Sequence, residues 1–215
     1  MTNLYRDYGL EFVPFRLRVE NAGSARSYIG GAPPTGVSPP KVHQHTRHFG
    51  TLGLEEGIDV SMFGTFDYSA PTGEFDFFSK TGALLGLSSP LIQFVVHAAN
   101  LPKAKSSPLR GEIQALGLVF GSPRFDPPCT TVAGLGLVDI YTSHKAGGIP
   151  FFDQLDGDVG GALNLLGDGF VHLLQLSSLG KDDSIVPGNW FFGETTFHVF
   201  ARKDNGSFDF RYIWR

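Results

Sequence analysis

Three histidines within six residues, His43-Gln-His45-Thr-Arg-His48, form the densest group of potential ligands in the chain. On an extended backbone His43 and His45 project to one face, where two imidazoles can share a divalent metal. A hydrolytic zinc site needs a third ligand, and Glu55, Glu56 and Asp59 are the nearest carboxylates. The spacing thus allows a metal-dependent hydrolase built on His43, His45 and His48. Against it, Lys41 and Arg47 add positive charge that opposes a cation, and a Pro-rich stretch precedes the group. A solvated or partner-facing loop explains the same residues.

Other chemistry is weaker. Cys129 follows Pro127-Pro128 and would need His144 or His172 as a base to act as a nucleophile, whereas a lone Cys is usually a small buried hydrophobe. Asp156-Gly-Asp158-Val-Gly160 begins like a calcium loop, but the twelfth position is Gly167 instead of a bidentate Glu. Glu194 and Asp209 are candidates for an acid/base pair, with solvated surface carboxylates as the plainer reading. No Gly-x-Ser-x-Gly elbow, P-loop or Gly-x-Gly-x-x-Gly fingerprint occurs, and Gly134-Leu-Gly136 lacks its third Gly. No catalytic residue is assigned, no cofactor is expected, and the balance leans away from an enzyme.

The elements that must position these residues are strands. Gly and Pro make up 42 of 215 residues, which excludes long helices and helical bundles. With 41% hydrophobic and only 18% charged residues, the chain can bury a core and is not disordered. Seventeen basic against 21 acidic residues give a net charge of −4 with no basic stripe, which argues against nucleic acid as a partner. A single Cys excludes an internal disulfide framework. Met1 to Phe12 shows no apolar secretory core, and the longest apolar run, Phe94 to Ala99, contains His97 and is too short to cross a membrane. A cytoplasmic protein is expected.

Alternation predicts strands over Glu11–Val19, Ile58–Tyr68, Gly73–Ser79, Gly134–Tyr141 and Gly169–Ser177. Trp190–Arg202 and Phe208–Trp214 read as a hairpin closed through Asp204-Asn-Gly-Ser207. Leu91–Asn100 fits a helix by its Ser-Pro start and a strand by Phe94-Val-Val96; Leu109–Phe120 is similarly divided. Asp156–Asp168 is Gly- and Asp-rich, and turn chemistry accounts for it. The fold class is strand-dominated α+β, one domain over 1–215. Trp190-Phe191-Phe192 beside Glu194, if exposed, would be a protein-binding patch.

Ser27-Tyr-Ile-Gly-Gly-Ala-Pro33 and His144-Lys-Ala-Gly-Gly-Ile-Pro150 share x-Gly-Gly-x-Pro at an offset of 117 residues. The echo predicts two similar β-rich halves, 1–105 and 106–215, related by internal duplication. The second copy continues through Phe151-Phe-Asp-Gln154, Leu173-Leu-Gln-Leu176, Trp190-Phe-Phe-Gly193-Glu194 and Phe197–Phe200 to Asp209-Phe210. That order resembles the YwqG-like (DUF1963) family over about 70 C-terminal residues, with Gly30-Gly31-Pro33 as a second, shorter match. Phe191-Phe192 interrupt the family's Trp-Gly turn, Glu194 replaces its Asp, and Thr196 stands where a Gly is expected. The resemblance implies a duplicated, sheet-rich, cytoplasmic α+β protein with no established reaction. It also implies a protein partner, in the form of a cognate bacterial toxin neutralised by an immunity protein. A structural assembly subunit also accommodates the Gly- and Phe-rich strands.

Overall fold

The computed structural model describes residues 3–18, 21, 23–42, 46–65, 92–105, 115–125, 144–150, 158–177 and 196–214. In chain order the elements are β1 (Glu11–Arg18), β2 (Tyr28–Ile29), β3 (Thr46–Glu55), β4 (Ile58–Thr65), β5 (Ile92–Ala98), β6 (Leu116–Phe120), β7 (Arg124–Phe125), β8 (Lys145–Gly147), α1 (Asp158–Gly167), β9 (Val171–Ser177), β10 (Thr196–Asp204) and β11 (Ser207–Trp214). Strands dominate, and no helix among the described residues is long and apolar enough to cross a membrane.

The chain forms two compact units. A central unit takes the described residues of Leu17–Val119, and a terminal unit takes those of Met1–Arg16, Phe120–Asp182 and Glu194–Arg215. The first sixteen residues therefore group with the C-terminal part, whereas a tandem duplication predicts a break near residue 105.

In the central unit the strand order is β6-β2-β3-β4-β5, antiparallel throughout. β3 lies between β2 and β4 and buries nine of its ten residues, so it shows no in-out alternation. Leu52, Leu54, Val60, Met62 and Phe63 pack from this pair of strands. A tight turn at Glu56-Gly57, with Gly57 at φ 77°, joins β3 to β4. Arg26 braces that turn: its Nε donates to Asp59 Oδ1 at 2.7 Å, and its Nη2 donates to the carbonyls of Glu55 and Ile58. Gly53 lies opposite Asp59, and a Cβ there would sit 2.7 Å from Arg26 Nε. Glycine is what lets the guanidinium through. Ile92–Ala98, ambiguous in sequence, is a strand, as its β-branched Val95-Val96 favour.

In the terminal unit the order is β11-β10-β9-β8-β1, with β7 also against β1. The hairpin β10–β11 closes through Asn205 and Gly206 at φ 48° and 82°, the two positive values a type I′ turn needs. The sequence 158–167 is a helix, α1, where turn chemistry alone was expected. Its Ala162 buries against Phe170 and Phe200, with Leu165 and Leu166 alongside, and this packing outweighs the low propensity of Gly160-Gly161. Gly169, at φ 81°, ends it: Phe170 N–H reaches the Leu165 carbonyl and Gly169 N–H the Leu166 carbonyl, a Schellman closure. The expected strands at 73–79 and 134–141, and residues 190–195, lie outside the described residues.

Candidate functional site

Each unit contains a Gly-Gly turn gripped by a buried histidine. In the central unit β2 runs into Gly30 and Gly31 at φ 70° and 68°. Two successive left-handed residues would cost a side-chain-bearing pair roughly 1–2 kcal/mol each. Gly30 N–H donates to the Phe49 carbonyl at 2.8 Å. Phe49 is the extra residue of a β-bulge, because His48 pairs with Phe63 and Gly50 with Met62. The bulge resets the alternation and turns His48 and Thr51 to the same face.

A carbonyl only accepts, so the contact of His48 Nδ1 with Gly31 O (3.0 Å) fixes the hydrogen on Nδ1. In the neutral ring Nε2 then accepts from Thr51 Oγ1 at 3.0 Å. Thr51 Oγ1 lies 2.9 Å from Ser61 Oγ, which lies 2.9 Å from His97 Nε2, and His97 Nδ1 donates to the Ala98 carbonyl. Tyr28 and Phe63 flank the His48 ring. Burial pushes the His48 pKa down to about 4, with the neighbouring His97 charge a lesser cause in the same direction.

In the terminal unit β8 runs into Gly147 and Gly148 at φ 73° and 67°. Tyr8 lies flat on Gly147; an added Cβ would fall 2.1 Å from its ring. Leu173 is the bulge residue of β9, since His172 pairs with Phe200 and Leu174 with Val199. His172 and Gln175 consequently share a face. His172 Nδ1 donates to the carbonyls of Gly147 (3.1 Å) and Gly148 (3.2 Å), leaving Nε2 to accept from His198 Nδ1 at 3.3 Å. Lys145, fully buried, donates from Nζ to the Ile149 carbonyl and lies over the Phe12 ring. Burial pushes the His172 pKa down to about 3, and the Lys145 charge adds to the effect.

The two turns correspond residue by residue. Tyr28 faces Thr51 and Thr51 faces Ser61; Lys145 faces Gln175 and Gln175 faces His198. Gly53 N–H donates to Ser27 Oγ at 2.9 Å, and Ser177 N–H to His144 Nδ1 at 3.1 Å. Ser27 and His144 stand at matching places before their Gly-Gly pairs.

Of the metal candidates, His48 lies here with both ring nitrogens hydrogen-bonded, while His43 and His45 lie outside the described residues. Asp59, a proposed third ligand, instead accepts from Arg26 and from Asn100 N–H. Among the described residues no three His, Cys, Asp or Glu side chains gather as a metal site. Trp190, Phe191, Phe192 and Glu194 lie outside the described residues, as does Cys129. Asp209 forms ion pairs with Arg202 and Arg211. Sequence reasoning missed the role of His172 and the His198–Gln175–Lys145 row. The available signal was a histidine 17 residues after Gly31 and another 24 after Gly148.

No family model, curated protein or solved structure matches the chain.

Proposed function

We propose that this chain is a non-catalytic protein-binding protein whose partner is a toxin that it neutralises. The observation that supports this reading most is the fate of its reactive groups. His48, His172, Lys145 and Asp59 are buried, Arg26 is partly buried, and all of them hold backbone turns, so they serve the scaffold. A binding protein needs a rigid scaffold and a presenting surface, and no reaction centre. The toxin partner rests on the resemblance to the YwqG-like family alone. Trp190, Phe191, Phe192 and Glu194 are the contact residues in this proposal.

The scaffold itself is proposed to be duplicated. Both units carry a left-handed Gly-Gly pair at the same offset, a bulge one residue after the gripping histidine, and the same cross-strand pairing around it. Scalar couplings that gave negative φ at either pair would refute that origin.

The functional test is co-expression of the full chain with the reading frames adjacent to its gene. A toxic neighbour whose effect this chain suppresses, and Trp190→Ala does not, is the expected result. Absence of any suppressed toxicity overturns the toxin partner. Stoichiometric metal together with hydrolase activity would replace the reading by a metal-dependent hydrolase, and a large homo-oligomer in light scattering by an assembly subunit.

A further inference from the structure

The turn that joins β10 to β11 is the one place among the described residues where an exposed asparagine precedes a glycine. Asn205 and Gly206 are both exposed, and neither the Asn205 side chain nor the Gly206 N–H hydrogen-bonds to a described residue. A Cβ on Gly206 would meet nothing within 4 Å. Asn3, Asn100 and Asn164 are exposed too, but each precedes a leucine, whose side chain crowds its own backbone nitrogen. Asn100 even shares the left-handed backbone, at φ 61° against 48° for Asn205. What sets Asn205 apart is the residue after it.

We propose that Asn205-Gly206 is a self-modifying site, where the turn loses ammonia and its main chain is rerouted through the asparagine side chain. The deprotonated Gly206 nitrogen attacks Asn205 Cγ. The N–Cγ bond forms, the Cγ–Nδ2 bond breaks, and Nδ2 leaves as ammonia, its third hydrogen balancing the proton given up by Gly206. Solvent water then opens the cyclic imide. Opening at the Asn205 main-chain carbonyl leaves an isoaspartyl link; opening at Cγ leaves aspartate. The turn favours the attack. Types I′ and II′ both close two-residue hairpins and share a φ of about 60° at the first central residue, but ψ there is about 30° in the first and about −120° in the second. At the second value Cβ and the Gly206 nitrogen lie on the same side of the Cα–C bond, and the imide ring can close. Asn205, at φ 48°, already has the φ it needs, so a flip of the peptide between Asn205 and Gly206 reaches that geometry without opening the hairpin. Gly206, having no side chain, allows the flip. The isoaspartyl link adds one carbon to the main chain between Asp204 and Ser207, the closing pair. The next pair is Lys203 with Phe208, and Tyr5 holds both: its hydroxyl accepts from Lys203 N–H at 2.9 Å, and its ring meets Phe208 edge-on at 5.0 Å. Modification therefore weakens the anchor of the N-terminal segment on this hairpin.

The test is incubation of the full chain at about pH 8 and 37 °C for several weeks, followed by peptide mass spectrometry. The peptide containing Asn205 should gain the mass of an amide-to-acid exchange, divided between two products of equal mass that chromatography separates. Peptides containing Asn100 and Asn164 should stay unchanged. In the isoaspartyl fraction the Lys203 amide should exchange with deuterium about 2–10-fold faster, the effect of weakening one hydrogen bond. Asn205→Asp carries the charge without the extra carbon and should keep wild-type exchange. No conversion at Asn205 overturns the proposal, as does equal conversion at the other asparagines. Conversion confined to the urea-unfolded chain overturns the peptide flip, and unchanged Lys203 exchange in the isoaspartyl fraction overturns the loosened anchor.

Discussion

Acid should destabilise this protein through its two turn-gripping histidines before most carboxylates titrate. In the unfolded chain His48 and His172 each bind a proton near pH 6.5. In the fold, burial pushes the first pKa down to about 4; burial, aided by the Lys145 charge, pushes the second to about 3. Above pH 6.5 neither state is protonated at these rings, and their contribution to stability is complete. Below it the unfolded state gains protons that the folded state refuses. Stability therefore falls with pH, until about pH 4 for His48 and about pH 3 for His172. Each ring approaches a slope of ~1.4 kcal/mol per pH unit, so by pH 4 each has removed roughly 3 kcal/mol. Their joint effect is comparable with the ~5–15 kcal/mol stability of a typical domain. Urea unfolding between pH 7 and 5, at fixed ionic strength, isolates the effect while carboxylates stay largely ionised. His172→Asn retains an amide N–H for the Gly147 carbonyl and cannot titrate. Its stability should depend on pH less steeply than the wild type, by about 1.2 kcal/mol per pH unit near pH 5.5. An unchanged slope in both His172→Asn and His48→Asn would refute the reasoning.

Three further outcomes follow from the packing. Gly147→Ala forces a Cβ into Tyr8 at a left-handed φ and should cost about 2–5 kcal/mol, whereas Gly161→Ala, with open space around its Cβ in α1, should gain up to ~1 kcal/mol; thermal melts compare them. Asp59→Asn leaves the partly buried Arg26 charge without its counter-ion and should cost about 2–3 kcal/mol in urea unfolding, with Asp204→Asn as a near-neutral exposed control. Phe200→Ala removes the ring that joins α1 to β10 and should cost about 3–5 kcal/mol, with amide exchange rising first across α1.

Local chemistry made part of the fold legible. Asn205-Gly206 specified the β10–β11 hairpin, and alternation specified β1 and the start of β4, because those signals lie within a few residues. β3 left no such mark. Both its faces are buried, and Gly50 and Gly53, residues that weaken a strand interior, are there to admit the Tyr28 carbonyl and the Arg26 side chain. The helix α1 was hidden for a related reason: Gly160-Gly161 argue against it, and the burial that favours it comes from Phe170 and Phe200. The Gly-Gly-x-Pro motif was legible as a repeat. Its gripping histidines were not, because they bond to backbone carbonyls, which every residue carries. His48 instead suggested a metal by standing near His43 and His45, and His172 suggested a base for Cys129.

The terminal unit has a schedule written into its ladder. Phe12 lies opposite Gly147 and Val13 opposite Ala146, so the earliest strand made must wait for some of the last. At ~5–20 residues per second on the ribosome, that delay is of the order of ten seconds. The central unit, by contrast, has all five of its described strands by residue 120. Vectorial synthesis therefore delivers the described strands of the central unit before β1 can pair with β8. A permuted chain that carried residues 1–18 behind β11 would place β1 and β8 in the same late stretch of translation and shorten the wait.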